Sequence, residues 1–262
     1  MGDRPGRRVL VTGAARGIGR DIVMTLGRAG YRVAVADISL DAHLEFLEDG
    51  HQDSVVDDLA RKGVEVRGYE ADVSDADALG AIAAELEGCW GGIDGVVCNA
   101  GGGSGPLDGN RAGSIDLEEL RLVLDRNLIG TINTVQAVLP LLISNGGGSV
   151  VTMSSQNGLD PTPDGRYAHY GIAKAAVAHY TRYLARDIGR YGIRANCLAP
   201  GPIVTGRIKR RMAESAEVHE GFSNALRRLG DPQDVSGVVR FLLSEAAGFV
   251  TGEVIRVDGG LS

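Results

Sequence analysis

Basic residues do not outnumber acidic ones: 27 Lys and Arg stand against 34 Asp and Glu, a formal charge of -7. That balance argues against nucleic acid as the main partner, because a phosphate backbone needs a positive face. Cysteine is scarce, with only Cys89, Cys98 and Cys197. An odd number without metal-ligand spacing excludes a disulfide framework and a zinc site. Cys98 and Cys197 fall in apolar runs and are expected as small buried side chains. Long apolar runs are missing too. No stretch approaches the roughly 18 apolar residues of a membrane span. The arginines of Met1 to Arg8 precede no signal core, and Gly2 lacks the following Ser or Thr of a myristoylation pattern. The expectation is a cytoplasmic protein with no metal, membrane or nucleic acid. Internal repeats, low-complexity tracts and linkers are absent as well.

What is present is an ordinary globular composition: 262 residues, 44% hydrophobic, 23% charged and 39 of them glycine. The length suits one large core, here a single domain over 1–262. Strand and helix patterns alternate. Arg8 to Thr12 is a buried strand that stops at Gly13-Ala-Ala-Arg-Gly17-Ile-Gly19, and a helix follows from about Ile18 to Ala29. A strand, a glycine loop and a helix N-terminus make a cradle for a pyrophosphate, since unpaired amides and the helix dipole face the anion. Arg32 to Asp37 is a second strand that ends in a carboxylate, placed to accept from ribose hydroxyls. A 2′-phosphate would meet that charge with a repulsion of about 4 kcal/mol at ~4 Å and ε near 20. NAD is favoured over NADP, although Arg16 in the glycine loop pulls the other way.

Ser39 to His51 reads as a surface insertion, followed by a helix from Asp53 to Lys62, a strand from Val64 to Val73 and a helix from Asp75 to Glu87. Ile93 to Cys98 is a further strand that runs into Asn99-Ala-Gly-Gly-Gly-Ser-Gly105. A long helix over Leu117 to Ser144 carries Asn127, with a bend expected at Pro140. Val150 to Met153 is a strand ending at Ser154-Ser155. A helix then spans Tyr167 to Tyr191, and a strand from Ile193 to Leu198 leads into Ala199-Pro-Gly-Pro-Ile-Val-Thr205. Arg207 to Leu229 has a helical period, Pro232 to Ser244 is a helix, and Glu253 to Val257 is the last strand. Such alternation means a parallel sheet covered on both faces.

Within the Tyr167 helix, Tyr170 and Lys174 lie one turn apart and share a face. A phenol near pKa 10 is a poor base at neutral pH, and a neighbouring cation favours its phenolate. Lowering it by about three units takes roughly 4 kcal/mol, which one charge in a partly dry cleft can supply. The pair can act as a proton shuttle.

Taken together, these motifs resemble the short-chain dehydrogenase/reductase family over nearly the whole chain. The carriers are Thr12 to Gly19, Asp72-Val73, Asn99-Ala-Gly101, Asn127, Ser154-Ser155, Tyr170 to Lys174, and Pro200-Gly-Pro-Ile-Val-Thr205. The resemblance implies an α/β Rossmann-like fold, a doubly wound parallel sheet with helices on both faces. It also implies hydride transfer between nicotinamide and a secondary alcohol or ketone. Carried over by position, Gly13, Arg16, Gly17, Ile18 and Gly19 hold the pyrophosphate and adenosine side, Asp37 the ribose, and Asp72 and Val73 the adenine. Asn99, Ala100 and Gly101 line the cofactor cleft; Pro200, Gly201, Ile203 and Thr205 reach the nicotinamide side. Tyr170 is the general acid/base, and Lys174 lowers its pKa and grips the nicotinamide ribose. Ser154 or Ser155 holds the substrate oxygen, with Ser155 preferred, and Asn127 places a relay water. A homotetramer is implied as well, built on the helices of Asn127 and Tyr170 and on the C-terminal strand.

Several features depart from the family pattern. The stretch from Ser155 to Tyr170 is long, with its surplus in Asp160-Pro-Thr-Pro-Asp-Gly-Arg166, and the Gly101 to Gly113 loop is long too. Tyr167 and His169 flank Tyr170 and read as packing or cleft-lining residues. The substrate lid falls at about 203–229 and carries Arg207, Lys209, Arg210 and Arg211, which could meet an anionic substrate or form a solvated face. The rival reading is a catalytically silent nicotinamide-sensing or scaffold protein, which an intact tetrad of Asn127, Ser155, Tyr170 and Lys174 disfavours. Enoyl reduction is disfavoured by the short Tyr170 to Lys174 spacing, and sugar epimerisation by the glycine spacing.

Overall fold

The computed structural model describes residues 6–46, 53–106, 109–214 and 224–261. Seven parallel strands form one sheet in the order β3-β2-β1-β4-β5-β6-β7. They are β1 (Arg8–Thr12), β2 (Arg32–Asp37), β3 (Val66–Glu70), β4 (Gly95–Cys98), β5 (Gly148–Met153), β6 (Ile193–Pro200) and β7 (Val254–Val257). Asp72-Val73 therefore lies beyond the end of β3, not within it. The helices are α1 (Gly17–Arg28), α2 (Val55–Arg61), α3 (Ala76–Trp90), α4 (Leu117–Leu124), α5 (Gly130–Ser144), α6 (Ala168–Ile188), α7 (Gly206–Glu214) and α8 (Pro232–Leu243).

The central strands are mainly apolar and almost wholly buried because both faces are covered. On β1, Val9 and Val11 join one core with Ile22, Leu26, Val235 and Leu242 from α1 and α8. Leu10 points the other way, into a core with Leu86, Val138, Leu142 and Ile188 from α3, α5 and α6. The strand order reverses between β1 and β4, and a crevice opens outside the carboxyl ends of strands at such a point. Thr12 pairs in register with Cys98, so the loops that begin at Gly13 and Asn99 leave the sheet side by side.

Three expectations are corrected. The long helix is interrupted at a single π-turn, Asp125–Ile129, rather than at Pro140, which α5 accommodates. The reason is local: Asn127 is drawn toward a neighbouring loop, and a π-turn absorbs the extra residue. By length and composition the run Leu117–Ser144 could also cross a membrane, which the sequence reading did not anticipate; α5 instead packs on α3, β4 and β5. Among the described residues the helical period after Arg207 produces α7 alone, and Asn224 to Leu229 is non-helical, held by hydrogen bonds from Ala225 and Leu226 to the Gly260 and Gly259 carbonyls. The rest of that predicted helix, and the Arg211 side chain, lie outside the described residues, as do 47–51 of the insertion.

Candidate active site

The glycine loop after β1 is shaped by close approach. Gly13 has φ +63, and a Cβ there would lie 2.6 Å from the Ala100 Cα; one on Gly19 would lie 2.0 Å from the Gly13 carbonyl oxygen. Neither position tolerates a side chain. Asn99 Nδ2 donates to the Gly13 carbonyl (2.7 Å), and the Ala100 amide donates to Thr12 Oγ1 (3.3 Å). The two loops are thereby stitched together at the switch point. The N-cap residue of α1, Arg16, supplies no side-chain cap and the first turn has no acidic residue, whereas α2, α3 and α4 are capped by Ser54, Asp75 and Asp116. With neither an N-cap side chain nor a first-turn carboxylate of its own, this helix end keeps the positive dipole that favours an anionic ligand.

Asp37 closes the far side of this cradle. Its Oδ2 accepts from the Ala15 amide (2.9 Å) and its Oδ1 from the Ile38 amide (2.8 Å). Burial raises its pKa from the ordinary carboxylate value, against the opposing pull of those amides and Arg16. Arg16 itself is engaged by Glu45 at 3.4 Å, a residue of the insertion that the sequence did not single out. The insertion's 3-10 turn, Ala42–Phe46, packs against α7, so the insertion and the lid meet across the crevice. Asp72 turns its carboxylate to the Ser74 amide and hydroxyl, both at 2.8 Å. Val73 is buried against Gly130.

The four residues proposed for chemistry come from three segments. On α6, Lys174 Nζ lies 5.8 Å from the centre of the Tyr170 ring and donates to the Met153 carbonyl at 2.8 Å. Lys174 is 4% exposed, and burial lowers its pKa to about 8. Ser154 and Ser155 both lie past the end of β5, so strand alternation does not separate them; hydrogen bonding does. Ser154 Oγ is buried and donates to the Lys174 carbonyl (2.7 Å). Ser155 is only half-buried, and its Oγ accepts from the Asn157 amide (3.3 Å). The 3-10 turn after it, Gln156–Gly158, presses on α6, where a Cβ on Gly158 would sit 2.6 Å from the Lys174 carbonyl carbon. That contact fixes the turn after Ser155 against α6.

Asn127 is fully buried on the π-turn. Its Oδ1 accepts from the Gly102 amide and its Nδ2 donates to the Gly102 carbonyl, both at 3.0 Å. A Cβ on Gly101 would meet Asn127 Oδ1 at 2.4 Å and Lys174 Nζ at 3.2 Å. Gly101 is thus the point at which Asn127 and Lys174 converge. At the lid, Pro200 ends β6, the Gly201 amide bonds the Val257 carbonyl (3.0 Å), Ile203 bridges to Gly230, and the Thr205 carbonyl accepts from the Lys209 amide. Arg207 Nη2 donates to the Gly103 carbonyl (2.9 Å); Lys209 and Arg210 are exposed. A separate cavity of about 510 Å³ lies behind Ile203, lined by Asn224, Arg228 and Asp258 and by none of the four.

The two overlong segments turn out to be one feature. The Tyr167 and Ala168 amides donate to the Gly109 and Asn110 carbonyls, and the Ala112 amide to Gly165, all at 3.0 Å. Arg111 Nη1 adds a bond to the Asp164 carbonyl (3.0 Å). This pairing forces Tyr167, the residue that opens α6, into the left-handed region at φ 56, ψ 30, a strain on the order of 1 kcal/mol for a non-glycine residue. Its ring then stacks 5.3 Å from that of Tyr170 and edge-on to His169 at 4.9 Å. His169 Nε2 faces the Ser104 carbonyl at 3.1 Å and so carries the proton there.

A family model described as enoyl-(acyl carrier protein) reductase matches residues 13–262. The chain is 43% identical over 260 residues to cyclohexanol dehydrogenase of Rhodococcus sp. (strain TK6), covering 98% of this chain and 96% of that one. It is 32% identical to 7alpha-hydroxysteroid dehydrogenase of Escherichia coli (strain K12), covering 97% and 94%. A solved 3-oxoacyl-[acyl-carrier protein] reductase of Brucella melitensis with bound NAD superposes at TM-score 0.84 and 32% identity, covering 99% of this chain and 92% of that one.

Proposed function

The chain belongs to the short-chain dehydrogenase/reductase family, and on that premise we propose that it is an NAD-dependent dehydrogenase of secondary ring alcohols, working reversibly on the matching ketones. What supports the proposal is that Asn127 and Lys174 meet at Gly101, with Tyr170 one turn from Lys174 and the turn after Ser155 packed on α6, near an α1 N-terminus without a side-chain cap of its own. Two relatives whose names specify ring alcohols support the substrate class.

The cradle suits a dinucleotide. The amides of Gly17 to Gly19 fit a pyrophosphate, Asp37 a ribose diol, and Ile203 with Thr205 the nicotinamide end. When bound, NAD supplies the hydride acceptor. Asp37 and, beside Arg16, Glu45 place two carboxylates where an NADP 2′-phosphate would need cations, which favours NAD.

Tyr170, as phenolate, accepts the carbinol proton at its hydroxyl oxygen. Lys174 stabilises that phenolate and, drawn to the Met153 carbonyl, keeps its ammonium fixed in a water-poor site. Ser155 donates to the substrate oxygen and, in the reducing direction, offsets the charge that grows there. Asn127 clamps Gly102, holds the Gly101 backbone against Lys174 and places the water through which the proton leaves. In this reading the Ser155 and Tyr170 hydroxyls share one substrate oxygen, a role that suits a carbinol or ketone better than an enoyl double bond. Exposed Leu117, Leu122, Ile172 and Tyr183 on α4 and α6 support a homotetramer, which light scattering would test.

NADH production from cyclohexanol, with NAD and NADP in parallel, tests the reading. Turnover with NAD that falls at least 10³-fold in Tyr170→Phe, with NADH binding retained, is the expected result. Tight NADH binding without turnover of any ring alcohol or ketone would move the chain to the silent sensing role.

A further inference from the structure

The wall built by the two joined segments carries a polar group with no task inside the fold. Tyr167 is 6% exposed, and its hydroxyl has no hydrogen-bond partner among the described residues. It is also absent from the buried atoms that lack a partner, so it opens onto space. A Cβ at Gly103 would stand 2.1 Å from the Tyr167 oxygen, so a glycine there is what makes room for the hydroxyl. Acceptors nearby are already engaged. The Gly102 carbonyl takes Asn127, the Gly103 carbonyl takes Arg207, and the Ser104 carbonyl takes His169. Arg207 also lies over Gly102, whose Cβ would meet Nη1 at 2.9 Å, and so roofs the same spot from the lid.

We propose that Tyr167 is a specificity-determining residue whose hydroxyl binds a second oxygen on the substrate ring, distinct from the reacting one held by Ser155 and Tyr170. The preferred substrate class is then an oxygenated ring alcohol, a cyclic diol or hydroxyketone, rather than a plain cycloalkanol. Three features make the site a built one. The ring is fixed in the left-handed backbone region by two amide bonds to the Gly101 to Gly113 loop, so it cannot swing away at low cost. The missing side chain at Gly103 makes room for the hydroxyl beside the loop. The Tyr167 and Tyr170 rings lie 5.3 Å apart, centre to centre, so a substrate ring held at the Tyr170 phenol adjoins Tyr167. A hydrogen bond that a non-hydroxylated analogue cannot make leaves a desolvated polar group unpaired, which is how such sites discriminate.

The inference rests on the proposed ring-alcohol reading, and one panel separates the two. Wild type and Tyr167→Phe are assayed with NAD on cyclohexanol, the 1,2-, 1,3- and 1,4-cyclohexanediols, and the methylcyclohexanols that match each diol in shape but lack its second oxygen. We expect at least one diol to exceed its methyl analogue about tenfold in kcat/KM. In Tyr167→Phe that preference should fall to within about twofold while kcat on cyclohexanol holds, a selective loss that a general packing defect would not give. If no diol outruns its methyl analogue, or if the preference survives in Tyr167→Phe, the second-oxygen site is wrong although the dehydrogenase reading stands. If no ring alcohol turns over at all, both fall.

Discussion

Replacing Lys174 by Met tests how the buried ammonium is held. The side chain is 4% exposed, and its one hydrogen bond shown is to the Met153 carbonyl. Burial lowers its pKa from 10.5 to about 8. Between those values the unfolded chain holds a proton that the folded protein has lost, so stability rises with pH across the window. Below about 8 both states carry the charge and the full penalty remains. At about 1.4 kcal/mol per pH unit, the penalty is about 3 kcal/mol at pH 7 and falls to about 1 kcal/mol at pH 10. Lys174→Met removes it and also loses the bond to Met153, worth about 1 kcal/mol. We therefore expect Lys174→Met to be more stable than wild type by about 2 kcal/mol at pH 7, with the gap closing at pH 10. Urea unfolding of both proteins at the two pH values, without nucleotide, measures this. Burial also raises the pKa of Cys98 to about 12 and raises that of Tyr180, which lowers alkaline stability in both proteins alike and cancels in the difference. A gap that does not change with pH would refute the argument, since it would mean the ammonium is not desolvated in the folded protein.

The serine pair gives a second test. Ser155→Ala should lower kcat about 10²-fold with little change in stability; Ser154→Ala should leave kcat within a few-fold but cost about 1 kcal/mol, because it removes the buried bond to the Lys174 carbonyl. The reverse pattern in steady-state kinetics and urea melts would reassign the substrate serine. Asp37→Ala should narrow the NAD over NADP ratio of kcat/KM by about tenfold or more, with Glu45→Ala adding to it. An unchanged ratio in both would show that neither carboxylate reads the ribose.

The sheet, the glycine loop after β1 and the pairing of Tyr170 with Lys174 were legible in the sequence because each rests on local chemistry. β1 stops at a glycine that no other residue can replace, since Ala100 lies against it, and Tyr170 and Lys174 share a helix face by spacing alone. What stayed hidden depends on partners distant in the chain. Nothing near Asn127 encodes a π-turn; it follows from an amide clamped on Gly102, 25 residues away. The charged period after Arg207 suggested a helix as far as Leu229, but Asn224 donates to the Arg228 and Asp258 carbonyls and folds that stretch against the end of β7 instead. Arg16 looked like a cation for NADP until Glu45 folded back onto it. The two length departures were visible separately, as a long loop and a long gap. Only their hydrogen bonding shows that they are one wall, and that an aromatic residue in the left-handed region is the result. An extra segment that merely lengthened the surface would not need such a backbone. A pair of segments that fixes a tyrosine ring 5.3 Å from that of Tyr170 is the feature on which the proposed second point of contact rests.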